Sequence, residues 1–404
     1  MNFKINETTT KLRGGYYTDP DIAAFLLRWV LNIHPKSILE PSCGDGVFLR
    51  GLSKLSTNGL KSIQAFEIEP VEARKAKQFA GDFKKVDVQI TTRDFLGWSL
   101  SKLLNPPQFD AVVGNPPFIR YQYLDSDLQG ISEQIFKVFH LPFTKHTNAW
   151  VPFVISSLAL LRPGGRLAMV VPSELLHVLH AESLRLYLTK VCSRVLIFDP
   201  QEIWFEDTLQ GAILLLAEKK NTPDEHFNGV SIIPTRSKDF LFENPEDYFE
   251  KAKYTNGETV KGKWMLALLT SAEREVLSKA KENSGVYYFD DIAEVAVGIV
   301  TGANKFFLVP DDIVKQYSLQ KWAHPMFGKS EHVPGVVFDE ESIKRNRKLG
   351  LPTNFIWFSD EKIEDLPETV KNIFGLAKSR KFTKDISAEF ENRGIAFHRF
   401  TQLL

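Results

Sequence analysis

Seven short apolar runs alternate with helix-patterned segments through the first half of this chain, and that alternation limits its architecture more than any other feature. The runs are Ser37–Glu40, Ile63–Glu67, Val86–Ile90, Phe109–Val113, Arg166–Val171, Arg194–Phe198 and Gly211–Ala217. Between them, Asp21–Leu31 carries Ile22, Phe25, Leu26, Trp29 and Val30 at helical spacing. Pro70 can start a helix running toward Phe79, and Asn148–Leu161 reads as a long buried one. Strands separated by helices build parallel sheets with helices on both faces. The expectation is an α/β fold with a doubly wound, seven-stranded, Rossmann-like sheet.

At 404 residues the chain exceeds what one core comfortably serves. Polar and turn-forming residues accumulate from Lys219 to about Lys263, ahead of a helical segment near Ser271–Glu282. Two domains follow, assigned as 1–245 and 246–404. From Tyr287 onward, apolar runs such as Val295–Val300 and Phe306–Val309 are broken by Gly and Asn, then by Pro and basic residues, which suggests a mixed α+β second domain. The end at Phe400–Leu404 has no obvious closing element, so this domain is read as small or as stopping short.

A formal net charge of zero argues weakly against nonspecific coating of nucleic acid, but a local basic groove can sit inside a neutral total. The two cysteines, Cys43 and Cys192, make neither a metal-spaced set nor a disulfide framework. The polar start MNFKINETTT does not read as a secretory signal, and the longest apolar stretches fall short of the ~20 residues a membrane span needs. A cytoplasmic protein with no membrane association is expected.

The chemistry is written at the ends of the predicted strands, where open α/β sheets bind their ligands. Asn115-Pro116-Pro117-Phe118 follows Phe109–Gly114 directly. Asn115 can offer a side-chain carbonyl, Pro116 only a backbone carbonyl, and Phe118 a π face, so the group suits an exocyclic amine on a planar ring. The plain alternative is an Asx-Pro turn that closes a strand. Glu40, Pro41, Gly44 and Gly46 form a glycine-containing turn with an acid and a proline in place of a full G-x-G-x-x-G, which fits a nucleoside-bearing amino acid better than a pyrophosphate. Glu40 can meet a cationic amino group. Glu67, followed by Ile68, can accept two ribose hydroxyls, and Asp94 and Phe95 can offer an acceptor and a ring to an adenine. Either acid alone is more often a helix cap or a solvated loop residue; their order, one per successive strand, carries the argument.

The series YYTDP (Tyr16–Pro20), ILEPSCGDGVFL (Ile38–Leu49), FEIEP (Phe66–Pro70), RDFL (Arg93–Leu96) and GNPPF (Gly114–Phe118) resembles the gamma-type, S-adenosylmethionine-dependent DNA adenine-N6 methyltransferases of bacterial restriction-modification systems. The resemblance implies a cofactor-binding set of Thr18, Pro20, Glu40, Pro41, Gly44, Glu67, Ile68, Asp94, Phe95 and Asn115. It also implies catalytic roles for Asn115, Pro116 and Phe118, with no metal. In IWFEDTLQGAILLL, Phe205 matches the aromatic that covers the other face of the target base, with Trp204 as the alternative. GIVTGANKFF (Gly298–Phe307) looks like the start of the family's recognition domain. The implied partner is double-stranded DNA, with phosphate contacts from groups such as Lys344, Arg345, Arg347, Lys348, Lys378, Arg380 and Lys381, and the implied state a monomer. No nuclease signature precedes Thr18, so a fused endonuclease is not expected, and a separate cognate restriction endonuclease stays open. The same motif also serves amino-methyltransferases acting on RNA, cytosine N4 or protein glutamine, and a catalytically silent DNA-specificity protein is the rival of another class.

Overall fold

A computed structural model describes residues 18–201, 211–256, 260, 262–294, 304–333, 335–357 and 367–368. The chain divides into two compact units, Met1–Val286 and Tyr287–Leu404. The division comes later than the rise in polarity suggests. Phe249 and Trp264, both past residue 245, are buried in the first unit's core, Phe249 with its ring centroid 4.7 Å from that of Trp29.

In chain order the first unit runs α1 (Pro20–Leu31), β1 (Ser37–Glu40), α2 (Val47–Leu52), β2 (Ser62–Glu67), α3 (Pro70–Lys77), β3 (Asp87–Thr92), α4 (Phe95–Leu100), β4 (Phe109–Gly114), α5 (Ser126–Val138), α6 (Trp150–Leu160), β5 (Leu161–Pro172), α7 (Glu182–Val191), β6 (Cys192–Pro200), β7 (Ala212–Lys219), β8 (Gly229–Thr235), α8 (Pro245–Lys251) and α9 (Ser271–Glu282). The main sheet has the order β3-β2-β1-β4-β5-β7-β6-β8. The α/β class and the seven expected strands are present, and the sheet gains an eighth. That strand, β8, pairs in parallel with β6, and Thr255 bridges it at Val230. Gly229 takes φ +128°, and a Cβ there would collide with the Thr255 backbone, so only glycine lets the two segments approach. β7 runs antiparallel to both β5 and β6, so the sheet is not purely parallel.

Side-chain alternation along the central strands fills both faces. Leu39, Val112, Leu167, Met169, Val195 and Ile197 point into one core with α6, while Ile38, Ala111, Val113, Ala168, Val170, Leu196 and Phe198 point into the other with α1. Such two-sided burial is why these strands read as continuous apolar runs rather than alternating ones. Edge strand β3 is half-exposed along its length and carries Thr and Gln instead. α6 is buried on nearly every side, and truncating Leu158 in it to Ala would cost ~2–5 kcal/mol. Among the described residues, no helix is long and apolar enough to cross a membrane.

The second unit contains β9 (Leu308–Val309), α10 (Asp311–Gln316), β10 (Ala323–Pro325), α11 (Glu340–Lys348) and β11 (Asn354–Ile356). Its strands form a small antiparallel sheet in the order β10-β11-β9. Val309, Val314, Leu319, Trp322 and Ile356 make a core of their own.

Candidate nucleoside and amine site

The carboxyl ends of β3, β2, β1 and β4 lie side by side, and the strand order reverses between β1 and β4. Loops on either side of such a switch point diverge and leave a crevice. Glu40 closes β1 and is 1% exposed. Neither of its carboxylate oxygens has a hydrogen-bond partner among the described residues. Burial first, then the charges of Glu67 and Asp45, push its carboxyl well above the usual carboxylate range. An unpaired buried carboxylate of this kind is costly unless a cation or donor comes to it.

The turn after β1 sets the shape of the crevice. Cys43 N donates to Phe66 O at 2.8 Å, and Gly44 N to Glu67 Oε2 at 2.9 Å, which ties the β1 turn to the end of β2. The two glycines, read alike in the sequence, differ here. A Cβ on Gly44 (φ +52°) would meet nothing within 4 Å, whereas one on Gly46 (φ +91°) would lie 2.8 Å from Ala76 Cα. Gly44 therefore borders open space, and Gly46 permits α3 to pack against the turn.

Glu67 also accepts from Glu69 N at 2.8 Å. Burial raises its pKa, offset in part by these backbone N–H bonds. A carboxylate offers about four acceptor positions, so these N–H bonds, together with that of Ile68, fix its orientation without exhausting it. Ile68 beside it is 56% exposed. Asp94 is the N-cap of α4, accepting from Leu96 N at 3.3 Å and Gly97 N at 2.5 Å. The Phe95 ring is 2% exposed and packs among Phe66, Trp98 and Phe153, which makes it a core ring and not an open face.

At the end of β4, Asn115 Nδ2 donates to the buried Thr18 Oγ1 at 3.2 Å, and Asn115 O accepts from Ser42 Oγ at 3.0 Å. The amide is thus oriented from its nitrogen end, with the acceptor oxygen at the other. Pro116 is buried, and half-buried Phe118 packs against both cores at the sheet end. Asp19 caps α1, and Pro20 is its exposed first residue. Thr18, Glu40, Pro41, Gly44, Glu67 and Asn115 are therefore gathered at adjoining strand ends, with Ile68 and Asp94 at neighbouring ones.

Trp204, Phe205, the stretch 298–303 and Lys378, Arg380 and Lys381 lie outside the described residues. Of the basic residues on α11, Arg345 donates to His332 O at 3.2 Å and Arg347 pairs with Asp311 at 3.3 Å, so both have partners within the second unit. Ser42, which bonds Asn115 O, was not anticipated as a site residue from the sequence; it is an ordinary polar residue, and only the fold brings it to Asn115.

An acidic, glycine-bordered crevice at a sheet's switch point, with an amide side chain at the next strand end, is where open α/β proteins take their ligands. Within that class, residues 48–204 match the Eco57I restriction-modification methylase family, and residues 261–386 match the C-terminal domain of Type II methyltransferase M.Eco57I. Both segments are thus similar to Eco57I-type restriction-modification methylases. Type II methyltransferase M.AccI of Acinetobacter calcoaceticus is 26% identical over 318 residues, covering 76% of this chain and 55% of that protein. M.HindII of Haemophilus influenzae is 22% identical over 312 residues, covering 74% and 55%. The chain thus spans about half the length of these curated relatives. The fold is that of a DrdV–DNA complex solved by cryo-EM, with a TM-score of 0.55 at 13% identity, over 88% of this chain and 44% of that one.

Proposed function

We propose that this chain transfers a methyl group from S-adenosylmethionine to N6 of an adenine flipped out of double-stranded DNA. The observation that carries the reading is Glu40: a buried carboxylate with no hydrogen-bond partner among the described residues, one strand away from Asn115. With Glu67 and Asp45 adding negative charge, the crevice suits a ligand bearing an ammonium and a sulfonium. Bound there, S-adenosylmethionine would supply an electrophilic methyl group.

The chain's own residues do the rest. Glu40 would take the ammonium, Gly44 leaves room at the backbone, Glu67 would accept ribose hydroxyls, and Ile68 and Asp94 would meet the adenine ring and its amino group. Asn115 Oδ1 and the Pro116 carbonyl would accept the two N6–H hydrogens of the target base. An adenine amine is a weak nucleophile because its lone pair is delocalised. Acceptors that bind more strongly as positive charge grows on N6 stabilise the transition state over the ground state. As N6 bonds the methyl carbon, the methyl–sulfur bond would break with its electron pair going to sulfur as a neutral thioether, and one N6 proton would pass to solvent afterwards. Phe118 would stack on the flipped base with Phe205 as the second ring, offsetting the few kcal/mol of unstacking. The second domain would read sequence, with exposed Lys344 and Lys348 as candidates for phosphate contacts.

The test is transfer of labelled methyl to unmethylated DNA, followed by nucleoside analysis. N6-methyladenine is the expected product, and Asn115→Ala should slow transfer by ~100- to 1000-fold while DNA binding stays largely intact. Label in N4-methylcytosine would reassign the base. Cofactor binding with no label on DNA would move the substrate to RNA or protein glutamine.

A further inference from the structure

We propose that Glu174 is a positioning residue that holds the Asn115–Phe118 loop in register with the end of β5. The inference rests on the methyl-transfer reading above. Glu174 lies in a 3₁₀ turn, Ser173–Leu176, directly after β5, the strand that pairs with β4 up to Gly114 and Met169. Its Oε2 accepts from Asn148 Nδ2 at 2.9 Å and lies 3.4 Å from His180 Nε2. Asn148 is itself 7% exposed and just precedes α6. The next residue, Ala149, donates its N–H to Ile119 O at 2.8 Å, and Ile119 follows Phe118. A short series of bonds therefore runs from the Glu174 carboxylate to the residue beside the stacking ring.

The turn is braced from below and from the side. Buried Arg185 donates through Nη1 to Leu175 O and Val178 O, each at 2.9 Å. Ser173 N donates to Gly211 O at 2.8 Å, where the chain enters β7 a few residues after Phe205 in sequence. Burial alone would raise the Glu174 pKa, but bonds from His180 and Asn148 and the charge of Arg120 outweigh it and lower it. The group is thus held as a carboxylate. An anion is a poor contact for a DNA phosphate, yet it is a strong acceptor for fixing Asn148. A loop misplaced by even ~1 Å can lose ~100-fold in rate.

The test compares Glu174→Ala, Glu174→Gln and Asn148→Ala by two readouts. Hydrogen exchange over 115–123 and 147–151 needs no substrate, and methyl transfer is measured with the affinity for S-adenosylmethionine alongside. Expected for Glu174→Ala and Asn148→Ala is faster exchange confined to those two segments. Transfer should fall ~10- to 100-fold in kcat, with KM for the cofactor within about twofold. Gln keeps an acceptor for Asn148 and should restore both. Unchanged exchange, exchange raised across the whole sheet, or no restoration by Gln would overturn the proposal. If Glu174→Ala does not fold, the Gln and Asn148 variants still decide it. A wild-type protein that leaves DNA unmethylated, with variants that still show the localised exchange pattern, would sink the DNA reading and keep the positioning role; normal wild-type methylation with unaltered exchange in the variants would do the reverse.

Discussion

Two ionisable groups are buried in the same sheet, and their surroundings are opposite. Arg166, toward the start of β5, is 4% exposed and fully engaged. It bonds Glu246 at 2.6 and 2.8 Å, Glu218 at 3.2 and 3.3 Å and Trp29 O at 3.1 Å, with its guanidinium 4.7 Å from the Trp29 ring. Glu40, at the far end of β1, is more deeply buried and has no bond to either oxygen among the described residues. A protein fixes its structure with buried charges that are satisfied from within. A buried acid left without a partner among the described residues is the place to test for a ligand.

The largest effect should come from the satisfied charge. Arg166→Ala takes the cation from Glu246, leaves Glu218 with Arg194 alone and removes one of the ties between α8 and the sheet. Thermal or denaturant unfolding should show a loss of ~3–5 kcal/mol, with cofactor affinity nearly intact where the protein stays folded. A stable Arg166→Ala protein that has lost cofactor binding would break the comparison at its first step. Glu40→Gln should behave in the opposite manner. Calorimetric titration should find S-adenosylmethionine bound ~10- to 100-fold more weakly, because an ammonium would lose its charged partner. The ligand-free protein should be no less stable than wild type. Equal affinity in the variant would remove Glu40 from the site.

The two glycines sharpen the same contrast at smaller scale. Gly46→Ala forces a Cβ against the Ala76 backbone at a positive φ, and should destabilise the fold by ~1–3 kcal/mol. Gly44→Ala costs only the ~1–2 kcal/mol of a left-handed residue, since no atom lies within 4 Å, but its methyl enters the crevice and should weaken cofactor binding. If both variants shift stability alike and binding not at all, the space beside Gly44 is not where the cofactor lies.

Much of this was legible in the sequence because the relevant signals are local. Ile38, Leu39, Ala111 and Val112 are apolar on both faces and bounded by turn residues, so the central strands and the acids that end them could be read in order. β8 was not legible. GVSIIPT is short, contains Pro234 and lies in a polar stretch, and it becomes a strand only because the β6 edge offers it partners. The division between units was hidden for a similar reason: Phe249 and Trp264 look like isolated aromatics until the fold buries them, Phe249 beside Trp29 on one face of the sheet and Trp264 in the core on the other. Phe95 is the converse case. Its place after the third strand suggested an open ring, but Phe66, Trp98 and Phe153 enclose it. Glu174 gave no signal, since its partners Asn148 and His180 are set by how β5 ends and α6 begins.

The subtlest consequence of an unpaired Glu40 is its dependence on pH. Its folded-state pKa is raised from 4.5 by burial, then by Glu67 and Asp45, so the unfolded chain releases this proton at lower pH than the folded one does. The sign follows from linkage: the folded state gains least at neutral pH, its relative stability is greatest below about 4.5, and it is lost as pH climbs from there toward the raised value. Glu67, whose pKa is raised as well, titrates against the same site, so absolute curves mix the two acids. The difference between wild type and Glu40→Gln isolates one of them. Without cofactor, the two thermal midpoints should converge near pH 4 and separate in favour of Gln toward pH 7, by roughly 2–4 °C for each kcal/mol. Saturating S-adenosylmethionine should reverse the order at pH 7, because the ligand's ammonium stabilises the ionised acid it meets. A difference that stays flat with pH, with and without the cofactor, would mean that Glu40 is as contented in the fold as Arg166.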